Sequence, residues 1–380
     1  MTLQFLKSTY QKHKEKRLSH RYICNDHIGP ILSDISSDFV VQEIGKSVNN
    51  EPIFSVKFGT GSKKVLMWSQ MHGNESTTTK AIFDLFSSLT EDKKAFSKIL
   101  EQCTVVIVPI LNPDGARAYT RINANAIDLN RDAKDLSQPE SKVLRQLFDS
   151  FKPDFCFNLH GQRTIFSAGS TNNPATISFL APSEDEERSL TTSRSIAMRL
   201  IALLNQNLQL QIPDQVGRYD DTYNANCVGD TFQALGVSTV LFEAGHYPGD
   251  YGREVTREFI FQSLVLALHH IAQDTINQET HESYFSIPEN EKLFYDIIIK
   301  NGLVDGKKHD VAIQYQEVLS HNTVKFSPKI EKIGDLDSYF AHKYHDANNG
   351  NVSTHNLEAI FEGYENDFVL INTDKLLLIF

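Results

Sequence analysis

Four apolar runs of strand length in this chain each stop at a polar residue suited to chemistry: residues 65–71 at His72, 104–111 at Asn112, 154–159 at His160 and 237–242 at Glu243. Near-continuous apolar runs mark strands covered on both faces, as in parallel sheets. Helical spacing recurs between them. Ala81, Ile82, Leu85, Phe86 and Leu89 share one face of residues 77–89, and Val143, Leu144, Leu147 and Phe148 one face of 139–151. Further helices are expected over 184–208, 229–235 and 253–272. The alternation predicts an α/β fold: a mostly parallel or mixed twisted sheet with helices on both faces. Ligands of such sheets bind beyond the carboxyl ends of the strands, so the four polar residues are expected on one rim.

Three segments follow from composition shifts. Residues 1–40 read as a helical lead-in, 41–278 as the catalytic domain, and 279–380 as a small β-rich domain, after a polar linker at 273–280. In this last part strand-like runs at 294–300, 310–319, 323–326, 359–361 and 367–371 alternate with glycines.

The balance of 37 basic against 48 acidic side chains, net −11, opposes a nucleic-acid surface. Cys24, Cys103, Cys156 and Cys227 lie far apart without a Cys-x-x-Cys pair and read as free thiols. No apolar stretch reaches the ~20 residues needed to cross a bilayer, and the amino terminus turns basic where a leader would be apolar. The expectation is a cytoplasmic protein without membrane or nucleic-acid partners.

Hydrolytic zinc takes three protein ligands and leaves a position for water, and His-Glu-His is one such set. His72 and Glu75, three apart at a strand-to-helix turn, are candidates to share an ion with His160 from a neighbouring strand end. Asp128 is the candidate carboxylate for the outer nitrogen of a ligating imidazole.

Together, His72-Gly73-Asn74-Glu75, the Asn112-Pro113-Asp114-Gly115 turn, Asp128-Leu129-Asn130-Arg131, His160 and Glu243 resemble the zinc carboxypeptidases, the carboxypeptidase A-like metallopeptidases, over roughly residues 40–275. The resemblance implies one zinc ion held by His72, Glu75 and His160, with Glu243 as general base and Arg121 polarising the scissile carbonyl. It also implies that Asn130 and Arg131 grip the free carboxylate of a peptide or small amide substrate. A tyrosine that closes over substrate is placed best at Tyr223 and second best at Tyr219. Val228, Gly229 and Asp230 fall where a side-chain pocket is lined, either apolar or acidic. Asn74 stands in place of an arginine and Asp132 in place of an asparagine of the digestive members.

Two other functions fit parts of this pattern. A zinc-dependent N-acyl amino acid deacylase of the aspartoacylase and succinylglutamate desuccinylase group shares the ligand and Asn-Arg elements and a β-rich carboxyl-terminal domain. A catalytically inactive binding module would keep the fold alone. The full Asn112-Pro113-Asp114-Gly115 turn and the Arg121 segment favour the peptidase over the deacylase, and retention of the ligands and of Glu243 favours it over the binding module.

Overall fold

Apolar runs made strands here because both their faces are covered: Val65, Leu66, Met67 and Trp68 are all fully buried. The computed structural model describes residues 1–379. They fall into two compact units, Met1–Gln162 with Ala175–Asn290, and Arg163–Pro174 with the chain from Glu291 onward.

The strands before Asn290 are β1 (Val40–Lys46), β2 (Pro52–Phe58), β3 (Lys63–Ser69), β4 (Cys103–Val108), β5 (Phe155–Gly161), the short β6 (Phe166–Ala168), β7 (Ile177–Leu180), β8 (Val216–Arg218) and β9 (Ser238–Ala244). All but β6 form one sheet in the order β1-β2-β4-β3-β5-β9-β7-β8. Its centre, β4-β3-β5-β9, is parallel, whereas β1 and β2 on one side and β7 on the other enter antiparallel. The helices are α1 (Leu3–His13), α2 (Asn25–Asp34), α3 (Thr77–Glu91), α4 (Ser97–Gln102), α5 (Pro113–Ala118), α6 (Pro139–Phe151), α7 (Thr192–Gln209), α8 (Val228–Ala234), α9 (Glu254–Gln273) and α10 (Glu282–Phe285).

On one side of the sheet a core joins Leu66, Trp68 and Cys156 to Leu144 and Phe148 of α6 and Val228 and Phe232 of α8. On the other, α3 and α9 are tied by a buried ion pair in which Arg257 donates to Asp84 at 2.6 Å through both Nε and Nη2. No helix among the described residues is long and apolar enough to cross a membrane. All four cysteines are free thiols, Cys227 half-buried and the others buried.

Some expectations need correction. The helix expected from residue 184 starts at Thr192, because the Thr191 hydroxyl accepts from Arg194 N at 3.3 Å and caps it there. Residues 184–191 form a loop of bends and turns instead. The amino-terminal lead-in is two helices, α1 and α2, and the polar linker includes a 3-10 turn at Ile276–Gln278.

After Asn290 the strands are β10 (Asn290–Lys292), β11 (Phe294–Val304), β12 (Lys307–Ser320), β13 (Thr323–Gly334), β14 (Phe340–Asp346), β15 (Val352–Ser353), β16 (Phe368–Ile371) and β17 (Asp374–Leu377). They give a four-stranded sheet β13-β12-β11-β14 and a three-stranded sheet β15-β16-β17, while β10 pairs with β6. Residues 359–361 make only an isolated bridge at Ala359.

Candidate metal centre

The rim expected at the carboxyl ends of the parallel strands is occupied as predicted. After β3 the chain turns at Gln70, whose backbone is left-handed (φ 43°) and whose Nε2 donates to Ile23 O and Gly73 O at 2.9 and 2.7 Å. That turn delivers His72, and a further turn, Glu75 N to His72 O at 3.1 Å, puts Glu75 just before α3. Gly73 is obligatory at this point, since a Cβ there would lie 1.9 Å from the carbonyl carbon of Gly115. The Asn-Pro-Asp-Gly turn is thus the bed on which the His72 loop lies. Asn112 caps α5 by accepting from Gly115 N at 2.9 Å and donates from Nδ2 to Met71 O at 3.2 Å.

His160 ends β5, and three side chains meet. His72 Nδ1 lies 2.9 Å from Glu75 Oε1, His160 Nδ1 lies 2.9 Å from Glu75 Oε2, and the two Nδ1 atoms are 3.1 Å apart. Both imidazoles are buried. Four-coordinate zinc with ligands at ~2.0–2.1 Å separates them by about 3.3 Å, so these donors fit one ion with shifts of a few tenths of an ångström. The outer nitrogen of His72 sits 3.1 Å from Asp128 Oδ1, which leaves Nδ1 to face inward. Gly161 N donates to Glu75 Oε2 at 3.0 Å and fixes the carboxylate.

Asp128 also organises its surroundings. Oδ1 accepts from Asn130 N at 2.9 Å, and Oδ2 from Arg121 Nε at 3.1 Å and Nη2 at 3.0 Å. Burial pushes its carboxyl up, but the His72 hydrogen bond and the charges of His72 and Arg121 outweigh this and hold it well below the usual range. Arg121, half exposed, comes within 3.5 Å of Glu75 Oε1. Burial likewise raises Glu75, and the two imidazoles overcome it and hold the carboxyl low.

Glu243 on β9 is in register with His160 on β5. Its Oε2 is buried without a hydrogen-bond partner among the described residues. Burial, then the charge of Glu75, drives this carboxyl well above its ordinary value. Buried Arg253 braces the same two strand ends, donating to Ala244 O at 2.8 Å and Gln162 O at 2.9 Å. The sequence offered no signal for that brace beyond an arginine opening a helix.

Asn130 and Arg131 follow Asp128 on a 3-10 turn. Asn130 Oδ1 accepts from Val228 N, the first residue of α8, at 3.1 Å, and Arg131 Nη1 donates to Asn130 O at 2.7 Å and to Cys227 Sγ at 3.0 Å. Of the two tyrosines, Tyr219 feels the charges of Glu243, Glu75 and Arg121 after the larger effect of its burial, and its phenol is raised well above the ordinary value. Tyr223, the first choice from sequence, stands half-buried four residues further along the loop. Asp230 is buried and accepts from Asn224 N at 2.9 Å. Burial pushes its carboxyl up to about 6. The sequence reading passed over Asn158, a fully buried amide on β5 two residues before His160.

Residues 32–133, which carry His72, Glu75, Arg121, Asp128, Asn130 and Arg131, match the family model described as zinc carboxypeptidase. Over these residues the chain is similar to the zinc carboxypeptidases. Curated relatives agree: "Probable carboxypeptidase 2" of Trichophyton verrucosum is 31% identical over 178 residues, 46% of this chain and 30% of that protein. "Carboxypeptidase SOL1" of Arabidopsis thaliana is 25% identical over 211 residues, 49% of this chain and 43% of that protein. The matches therefore span less than half the length of either relative. In fold, the chain is similar to a metallo-carboxypeptidase from Burkholderia cenocepacia, with a TM-score of 0.53 at 19% identity over 66% of this chain and 69% of that one.

Proposed function

We propose that this chain is a zinc-dependent carboxypeptidase that removes the terminal residue of peptides bearing a free carboxylate. The observation that carries this reading is the meeting of His72 Nδ1, His160 Nδ1 and both Glu75 oxygens within 2.9–3.1 Å. His72, Glu75 and His160 would hold the zinc ion, which when bound supplies a Lewis acid for the scissile carbonyl and lowers the pKa of water at its open position.

The remaining steps belong to this chain's own side chains. Glu243, level with His160 on the adjacent strand, takes the proton of the attacking water and hands it to the departing amine. The Arg121 guanidinium, aimed by Asp128, offers N–H donors to the oxyanion that develops on the carbonyl oxygen. Arg131 matches a terminal carboxylate in geometry, and Asn130 joins it with the amide end that Val228 does not use. Such a grip restricts cleavage to the last residue. Tyr223, with Tyr219 as the second choice, is the phenol we assign to closing over substrate.

The test compares zinc-loaded protein on a tripeptide with a free terminus, the same peptide amidated, and an N-acyl amino acid. Cleavage of the first alone is expected, with Glu243→Gln reducing kcat by about 10²–10⁴-fold. Preference for the N-acyl amino acid would establish the deacylase instead, and no hydrolysis at all the binding module.

A further inference from the structure

Beneath the rim lies a second row of side chains that no step above uses. Asn158 precedes His160 by two residues on β5, so both point to the same face, about 6.6 Å apart along the strand. In register with Asn158 stand Trp68 on β3 and Leu241 on β9, one row below His160 and Glu243. Asn158 is fully buried, yet neither Nδ2 nor Oδ1 has a hydrogen-bond partner among the described residues. Buried amides ordinarily spend their hydrogen bonds on backbone or other side chains. This one does not.

The first turn of α8 links it to the carboxylate grip. Val228, whose N–H is tied to Asn130, opens α8, and a Cβ on the next residue, Gly229, would come within 4.0 Å of Asn158 Nδ2 and 3.1 Å of Pro182 Cγ. With hydrogen at that position, the amide is left facing the first turn of α8. The Asp230 carboxylate is turned toward the backbone N–H groups of Asn224 and Ser183.

We propose that Asn158 is the specificity-determining floor of the substrate side-chain pocket, and that the terminal residue it selects carries a carboxamide, glutamine or asparagine. The proposal rests on the carboxypeptidase reading of the rim above it. A carboxamide presents one acceptor to Nδ2 and one donor to Oδ1 and so meets both. A hydrocarbon side chain meets neither, a guanidinium or ammonium group leaves Nδ2 unmet, and a carboxylate, which only accepts, leaves Oδ1 unmet.

The experiment measures binding of free L-glutamine, L-leucine and L-arginine to the zinc-loaded full chain by calorimetry, beside hydrolysis of peptides ending in the same three residues. Glutamine is expected to bind at least tenfold more tightly than leucine or arginine, with the same order in kcat/KM. Asn158→Leu, nearly the same shape, reverses the glutamine to leucine ratio. Asn158→Asp, which keeps the shape and exchanges the donor for an acceptor, moves preference toward arginine and serves if the leucine variant does not fold. Equal binding of the three amino acids, or an unchanged ratio in either folded variant, overturns the assignment. Glutamine-selective binding without hydrolysis of any peptide leaves the pocket standing and sinks the carboxypeptidase reading alone.

Discussion

Replacing Asp128 by asparagine changes no volume but leaves no good orientation for the new amide. The carboxylate accepts from four donors: His72 Nε2 and Asn130 N on one oxygen, Arg121 Nε and Nη2 on the other. If the asparagine carbonyl faces His72 and Asn130, its NH2 meets the Arg121 guanidinium, donor against donor. If the carbonyl faces Arg121, the NH2 meets Asn130 N–H and presses its other proton on His72 Nε2. That moves the imidazole hydrogen to Nδ1, the atom needed for the metal. Partners of this kind contribute about 10–100-fold in metal affinity, equivalent to about 1.4–2.7 kcal/mol. Competition with a chelator of known affinity measures the constant directly. Asp128→Asn is expected to weaken zinc by that factor and to lower kcat/KM further by releasing Arg121. Zinc affinity within twofold of the wild type would refute the claim that Asp128 sets the His72 tautomer.

Other consequences are independent of that pair. Gly73→Ala forces its Cβ into the Gly115 backbone, so the variant is expected to lose zinc stoichiometry and melt at lower temperature; normal zinc content would show that the bed of the His72 loop yields freely. Arg257→Met strands the buried Asp84 carboxylate and should cost about 3–5 kcal/mol in denaturant unfolding, whereas a loss under 1 kcal/mol would mean that Asp84 is hydrated or protonated there. Burial raises the Glu254 carboxyl, but Lys80, Lys14 and Arg257 outweigh it and hold it at about 2. The folded form therefore releases this proton more readily than the unfolded chain. The stability it adds is complete above the ordinary carboxylate range and is lost as pH falls toward about 2. Unfolding midpoints of wild type and Glu254→Gln, measured from pH 6 downward, should converge on acidification; parallel curves would contradict the assignment.

The parallel centre of the sheet was legible because burial on both faces writes a continuous apolar run, and each such run led to its rim residue. Short strands were harder. The three- and four-residue strands β6, β7 and β8 are too short to show a period. The start of α7 depended on one hydroxyl at Thr191 that competing acids at 184–187 concealed. At the site, residue types with few alternatives, such as His72, Glu75 and His160, could be named from spacing and order. The choice between Tyr219 and Tyr223 could not, because it depends on the path of a loop without regular structure. Asn158 did leave a trace: an asparagine inside Phe155-Cys156-Phe157-Asn158-Leu159 is out of place in a buried strand, where its type is disfavoured.

The central claim is a single metal bound by two imidazoles and one carboxylate. Zinc-edge X-ray absorption on the purified protein tests it most directly. One zinc per chain in a first shell of nitrogen and oxygen at about 2.0–2.2 Å, with imidazole scattering that disappears in part in His160→Ala, is the expected result. A shell containing sulfur, or a His160→Ala spectrum identical to the wild type, would place the metal elsewhere and undo the account.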